Sequence, residues 1–170
     1  MSELTSPLRI GQGWDTHRLQ DGRPLILAGV HVPSKIGLVG HSDADVLFHA
    51  VTDAVLGALA LGDIGMHFPD SAPEWKDAPS IRFLEHALTL AGEQGYQLAN
   101  VDTTVILERP KLKDFRSAIR ESLARAVKLP LSCVSVKFKT AEMVGPVGEG
   151  VSCEAQAVVL LTASNSETPS

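Results

Sequence analysis

Aromatic side chains make up only 5% of the 170 residues, so the core has to be built mainly from aliphatic ones. Cysteine is nearly absent: Cys133 and Cys153 stand far apart and outside any metal-ligand spacing. Cys153 falls in phase with Val151, Ala155, Ala157 and Val159, which reads as a buried, inert thiol on a strand rather than a nucleophile. No basic run occurs and the formal net charge is −5, which argues against nucleic acid as the main partner. A phosphate-bearing substrate would need local cations or metals to hold it. No apolar run reaches the length of a membrane span and the first residues form no signal-peptide core. The expectation is a cytoplasmic chain with no membrane partner.

What is present is a hydrophobic content of 44%, enough for one domain over residues 1–170, with its core at about 8–161 and polar tails. The most informative stretch runs from His41 to Asp53. Ser42 and Asp43 are good helix N-caps, and the following residues to Leu61 are Ala/Leu-rich and free of proline. Val46, Leu47, Ala50, Val51, Ala54, Val55, Ala58 and Leu59 form an apolar stripe at helical spacing. Asp45, His49 and Asp53, four apart, share one polar line. An imidazole between two such carboxylates is either part of a solvated face or a metal ligand with polar groups behind it.

Earlier in the chain, Leu8 to Trp14 begins a strand that leads into Asp15-Thr16-His17. Residues i and i+2 of a strand point to one side, so Asp15 and His17 can face one point while Thr16 faces away. A carboxylate and an imidazole there make a workable pair of zinc ligands. Gly11 and Gly13 lack the third glycine and following helix of a dinucleotide fingerprint, and fit close approach of another backbone or a ligand. Leu25 to Val32 reads as a hairpin bent at Gly29, and Ser34 to Gly40 as a loop. Asp63, in Gly62-Asp63-Ile64-Gly65, is either a turn residue or a ligand contact. Ser80 caps a helix to Glu93, Tyr96 to Leu107 is a strand, and Leu112 to Val127 is a helix. Val134 to Phe138 and Val151 to Leu161 are strands, with a glycine-rich loop from Gly145 to Gly150 between them. The expected fold is α+β: a small mixed sheet with helices packed on one face. The helices are too few to cover both faces, so oligomerisation through the sheet is expected.

Asp15, His17 and His49 together would leave a fourth position open on a tetrahedral zinc, the mark of a catalytic site. The residues then become recognisable. Arg9-Ile10-Gly11-Gln12-Gly13-Trp14-Asp15-Thr16-His17 and His41-Ser42-Asp43-Ala44-Asp45, with His49 and Thr52-Asp53, resemble two signatures of the 2-C-methyl-D-erythritol 2,4-cyclodiphosphate synthases. Gly62-Asp63-Ile64-Gly65, Phe68-Pro69-Asp70, Pro110-Lys111 and Gly148-Glu149-Gly150 continue the match in order. The resemblance implies metal-assisted cyclisation of 4-diphosphocytidyl-2-C-methyl-D-erythritol 2-phosphate, with release of CMP, in isoprenoid precursor biosynthesis. It implies zinc on Asp15, His17 and His49, and magnesium or manganese with the diphosphate on Glu142. His41 and Thr140 are implied as transition-state stabilisers, and His41 with Ser42 as contacts of the attacking phosphate. Substrate contacts are implied at Asp15, Thr16, His17, Asp63, Ile64, Gly65, Phe68, Pro69, Asp70, Ser71 and Ala72. The cytidine pocket is implied at Leu107, Glu108, Arg109, Pro110, Lys111, Leu112 and Lys113, with Lys111 near the phosphates, and further substrate contacts are implied at Lys139, Thr140, Ala141 and Glu142. Asp45 and Asp53 read as polar groups behind the ligands. The family is a homotrimer with active sites between subunits; the free sheet face then points to the trimer centre, and Glu154 belongs to a central cavity.

Three departures from the family pattern stand out. Met143 takes the place of a lysine, the Gly145–Gly150 stretch is short and lacks an arginine before Gly148-Glu149-Gly150, and Arg109 takes the place of an alanine. Met143 and the short stretch motivate one alternative, a catalytically weakened family member; a second is a metal-dependent phosphohydrolase using the same three ligands. A third rival, a non-catalytic trimeric binding module, would leave these His and Asp side chains merely solvated.

Overall fold

The computed structural model describes residues 6–69, 75 and 78–164. Asp70, Ser71, Ala72 and most of the two polar tails lie outside the described residues. Seven strands are described: β1 (Leu8–Asp21), β2 (Leu25–Leu27), β3 (Val30–Val32), β4 (Ile36–Val39), β5 (Tyr96–Ile106), β6 (Val134–Lys139) and β7 (Ser152–Ala163). Five helices join them: α1 (Val46–Ala58), α2 (Ile64–His67), α3 (Ile81–Glu93), α4 (Arg116–Ala126) and α5 (Gly145–Gly148).

Five strands form one mixed sheet in the order β4-β1-β7-β5-β6, and β2 and β3 pair as a separate hairpin. Among the described strands only β5 and β6 run parallel, with α4 in the crossover between them. On one face of the sheet the side chains alternate inward: Tyr96, Leu98, Val101, Thr103 and Val105 of β5, and Cys153, Ala155, Ala157, Val159 and Leu161 of β7 are buried. The other face is open, with Ile10 73% exposed and Trp14 48% exposed. The expectation of an α+β layer with one uncovered sheet face is met.

Helix α1 lies across β1 and β7 and packs against α3 on its far side, which is why it is apolar nearly all round. The glycines of β1 make this possible. A Cβ on Gly11 would sit 1.8 Å from the carbonyl oxygen of Ala54, and one on Gly13 would sit 2.0 Å from that of Ala50. Backbone therefore rests on backbone, and the helix is pressed close enough to the sheet for His49 to reach the residues that follow Gly13.

Two boundaries differ from the sequence reading. Ser34–Gly40 is not a plain loop, because Ile36–Val39 pairs with Arg18–Asp21 of β1. The long helix starts later than its Ser42-Asp43 signal, since Asp45 is the residue whose carboxylate caps it, accepting from the N–H groups of Leu47 and Phe48. It ends at Ala58 with Leu59 as its C-cap, and Ala60 (φ 59°) and Gly62 (φ 82°) then turn left-handed. The glycine-rich stretch at Gly145 closes into the single turn of α5.

Candidate metal and phosphate site

Strand β1 carries Asp15 and His17 on one side, as period 2 requires, and α1 brings His49 over them. Oδ2 of Asp15, Nε2 of His17 and Nδ1 of His49 form a triangle with sides of 2.9, 3.0 and 3.0 Å. Nδ1 of His17 lies 2.8 Å from the carbonyl oxygen of Val39, which can only accept. The neutral ring therefore carries its proton on Nδ1 and turns a bare lone pair on Nε2 toward the cluster. Nε2 of His49 faces the hydroxyls of Ser80 at 2.8 Å and Ser42 at 3.2 Å. A carboxylate oxygen and two ring nitrogens aimed at one point repel one another unless a cation or a proton sits among them. The donor chemistry fits a divalent metal with nitrogen and oxygen ligands.

The electrostatics agree. Burial works against the charge of Asp15, but hydrogen bonds and charge from His17 and His49 outweigh it and hold the carboxyl well below the usual carboxylate range. Burial likewise disfavours a charged His17, yet the Asp15 carboxylate beside it prevails and raises the imidazole pKa. A cation among these groups would substitute for the proton that the cluster otherwise attracts.

A cavity of about 500 Å³ opens above the cluster, lined by Gly40, His41 and Ser42 on one side and by Ile64, Gly65, Phe68 and Pro69 on the other. Phe68, Trp75 and Phe83 form an apolar wall, with ring centroids 4.5 to 5.7 Å apart. His41, Ser42, Ile64, Gly65, Phe68 and Pro69 line this cavity together with Asp15, His17 and His49. Thr16 does not line this cavity; its hydroxyl donates to the carbonyl oxygen of Cys153 at 3.4 Å. Asp63 caps α2 by accepting from the N–H of Met66 at 3.1 Å.

Asp45 and Asp53 are not bonded to the ligand rings. Asp45 is fully buried and accepts from Ala28, Gly29, Leu47 and Phe48, tying the β2–β3 hairpin to the start of α1. Asp53 accepts from the N–H of Ile64 at 2.7 Å and so fixes the turn that enters the cavity wall. Sequence spacing put both on one line with His49. Short carboxylates instead turn to unpaired backbone N–H groups nearby.

A second, smaller cavity of about 250 Å³ is lined by Leu107, Lys111, Leu112, Lys113, Arg116, Phe138, Lys139 and Thr140. Thr140 donates to Glu142, and Glu142 and Met143 both have positive φ (51° and 62°). Oε2 of Glu108 accepts the N–H of Ala141 at 3.2 Å. Arg109 and Pro110 lie in the turn leaving β5. Residues expected in one active site therefore fall into two groups, one around the first cavity and the other lining the second or, like Glu142, following β6 beyond it. Sheet register gives the separation: Thr16 pairs with Glu154, Glu154 with Ile106, and Ile106 with Lys139. Three strand spacings, about 14 Å, lie between the β1 and β6 ends of that row. Among site residues the sequence left unnamed are Ser80, Trp75 and Phe83, whose only signals were a helix-cap serine and two isolated aromatics.

The fold and this cluster define an α+β protein with an open, three-donor metal-type centre on the wall of a cavity of about 500 Å³. The chain belongs to the YgbB family, whose model matches residues 8–162. It is 65% identical over 156 residues to the 2-C-methyl-D-erythritol 2,4-cyclodiphosphate synthase of Solibacter usitatus, covering 92% of this chain and 98% of that one. The enzyme of the same name from Gloeobacter violaceus is 55% identical over 154 residues, covering 91% and 94%. A solved structure of 2C-methyl-D-erythritol-2,4-cyclodiphosphate synthase in a CDP-bound form superposes with a TM-score of 0.84 at 44% identity, over 90% of this chain and 99% of that one.

Proposed function

We propose that this chain cyclises 4-diphosphocytidyl-2-C-methyl-D-erythritol 2-phosphate to 2-C-methyl-D-erythritol 2,4-cyclodiphosphate and CMP. The observation that carries this reading is the triangle of Asp15, His17 and His49 at the floor of a cavity edged by His41 and Ser42. In the reaction an oxygen of the 2-phosphate forms a bond to the β-phosphorus, the bond from that phosphorus to the bridging oxygen breaks, and CMP departs with the electron pair. Two anionic groups must be brought together in line, so positioning and charge neutralisation dominate. Asp15, His17 and His49 would hold zinc, and Glu142 a magnesium or manganese ion. When bound, these ions supply Lewis acidity to the phosphate oxygens. His41 and the Ser42 hydroxyl orient the attacking phosphate, and Ile64, Gly65 and the Phe68 wall enclose the erythritol carbons away from water. Backbone groups around Leu107 to Lys113 receive the cytosine, with Lys139 and Thr140 toward the diphosphate.

A diphosphate cannot meet His49 and Glu142 of one chain at once when about 14 Å of sheet separates β1, under His49, from the end of β6 that leads to Glu142. We infer that a neighbouring copy supplies Thr140 and Glu142, in a homotrimer whose centre is faced by the open sheet side with Ile10, Trp14 and Glu154. Residues 1–170 act in it as one domain, and the reaction is placed in the cytoplasm. Among the described residues no helix is long and apolar enough to cross a membrane.

The test is one incubation of the protein with the diphosphocytidyl substrate, zinc and magnesium, followed by phosphorus NMR. Cyclic diphosphate with stoichiometric CMP is expected. Inorganic phosphate would indicate a phosphohydrolase, and unchanged substrate from a zinc-loaded trimer would indicate that Met143 and the short Gly145–Gly150 stretch had abolished turnover.

A further inference from the structure

Behind the three-donor cluster, Ser80 and the half-buried Asp43 continue a polar chain from His49, and the proposed reaction uses neither of them. Ser80, at the start of α3, is fully buried, and its hydroxyl does not cap its own helix. It contacts Nε2 of His49 at 2.8 Å, the Ser42 hydroxyl at 3.2 Å and the carboxylate of Asp43 in a short hydrogen bond. Asp43 also accepts the N–H of Ser80 at 3.1 Å and that of Asp45 at 3.1 Å. An ionised carboxylate can only accept, so the single Ser80 proton goes to Asp43. The serine oxygen is then left as an acceptor, and the group that faces it at the shortest neutral distance is the His49 ring.

We propose that Ser80 and Asp43 are positioning residues that fix the metal-binding tautomer of His49. The chain runs His49 Nε2–H to Ser80 Oγ, and Ser80 O–H to the Asp43 carboxylate. With its proton held on Nε2, the neutral ring has a bare Nδ1, the atom that lies 3.0 Å from both Asp15 and His17. His17 is set by the Val39 carbonyl in the same sense but through its other nitrogen. Without Asp43, the Ser80 hydroxyl is free to turn and donate to Nε2, which puts the ring proton on Nδ1 and directs an N–H at the metal position. An outer partner of this type typically carries 10–100-fold in metal affinity. The chain also links α1 to α3, because the N–H of Asp43 donates to the carbonyl oxygen of Ala78 at 3.2 Å.

This rests on the metal reading above, and the experiment separates the two. Zinc and cobalt(II) affinities are measured on the full chain by chelator competition, with the cobalt(II) visible spectrum as a second readout, for wild type, His49→Ala, Ser80→Ala, Ser80→Thr and Asp43→Asn. Ser80→Ala and Asp43→Asn are expected to weaken zinc binding by about 10–100-fold, with an altered cobalt spectrum, and Ser80→Thr to restore both. The nitrogen-15 shifts of the His49 ring in zinc-free wild type, which need no variant to fold, should report a proton on Nε2. Loss of binding in His49→Ala with wild-type affinity in Ser80→Ala, or a zinc-free ring protonated on Nδ1, would overturn this proposal while leaving the metal reading standing. Unchanged zinc binding in His49→Ala would overturn the metal reading and this proposal together.

Discussion

Glu108, just past the end of β5, accepts the backbone N–H of Ala141, just past the end of β6, at 3.2 Å. The same Oε2 lies 3.5 Å from the N–H of Met143, so one carboxylate spans a segment in which Glu142 and Met143 are held at positive φ. Non-glycine residues occupy that region at a cost, and an outside partner is needed to keep two of them there. Glu108 therefore serves the Thr140–Glu142 segment by shaping its backbone. Glu108→Ala should lower the rate of CMP release by about tenfold or more, the scale of losing charge-assisted hydrogen bonds, while zinc affinity stays at the wild-type value. A CMP-release assay beside a zinc titration checks both halves of this expectation.

Mixing provides a direct check on sites shared between copies. His49→Ala and Glu142→Ala chains should each be inactive alone. If they are unfolded together and refolded at equal amounts, each interface draws one side from each of two chains at random. About one quarter of the interfaces then carry both intact halves, and activity should return to about that fraction of wild type. No recovery, with mixed trimers demonstrated by mass spectrometry, would place both halves of the site in one chain.

The contact between β1 and α1 predicts a large effect from one methyl group. Gly13→Ala would drive a Cβ to 2.0 Å from the Ala50 carbonyl oxygen and 2.7 Å from the Ala54 nitrogen, both of them backbone atoms. Neither can swing aside, so the helix must lift from the sheet. We expect a loss of about 3 kcal/mol, at the upper end of overpacking effects, read as a lower denaturant midpoint. The zinc site should weaken too, since Asp15 and His49 sit on the two elements that would part.

Asp45 should make stability depend on pH. Complete burial pushes its carboxyl up to about 6, against the N–H groups of Gly29, Phe48 and Ala28 that favour its charge. Between its ordinary value of about 4 and that value, the folded chain binds a proton that the unfolded chain has released. The stability tied to this proton is thus fully present below pH of about 4 and is lost as pH rises through the folded value, by about 3 kcal/mol. Urea midpoints of wild type and Asp45→Asn, measured from acid to neutral pH, should show the wild type losing ground as pH increases. A trend of opposite sign would mean that the four backbone donors outweigh burial.

The two cysteines should behave differently toward alkylating reagents. Cys153 is fully buried beneath α1, and burial raises its thiol far above the usual range. Cys133, at the turn into β6, is partly exposed. One thiol per chain should react with iodoacetamide under native conditions and a second only after unfolding, and Cys133→Ser should abolish the native reaction.

Local pattern in the sequence was enough to set several of these features. Asp15 and His17 face one side because a strand has period 2, and the stripe from Val46 to Leu59 makes a helix because those apolar residues recur at 3.6. Gly11 and Gly13 could be read as points of close approach, and the ordered motifs identified the family. Each of these depends on backbone geometry within a few residues, or on residue identities that stand in the chain itself. Tertiary structure decided the rest. Ile36–Val39 became a strand because β1 extends to Asp21 and offers it an edge, not because of any alternation in four residues. Asp45 turned to the hairpin and Ser80 to His49, since a buried polar atom takes whichever partner packing delivers, here 17 and 31 residues away. The division of the expected site into two groups follows from strand order: β7, the last strand in sequence, inserts between β1 and β5 and holds the two halves apart.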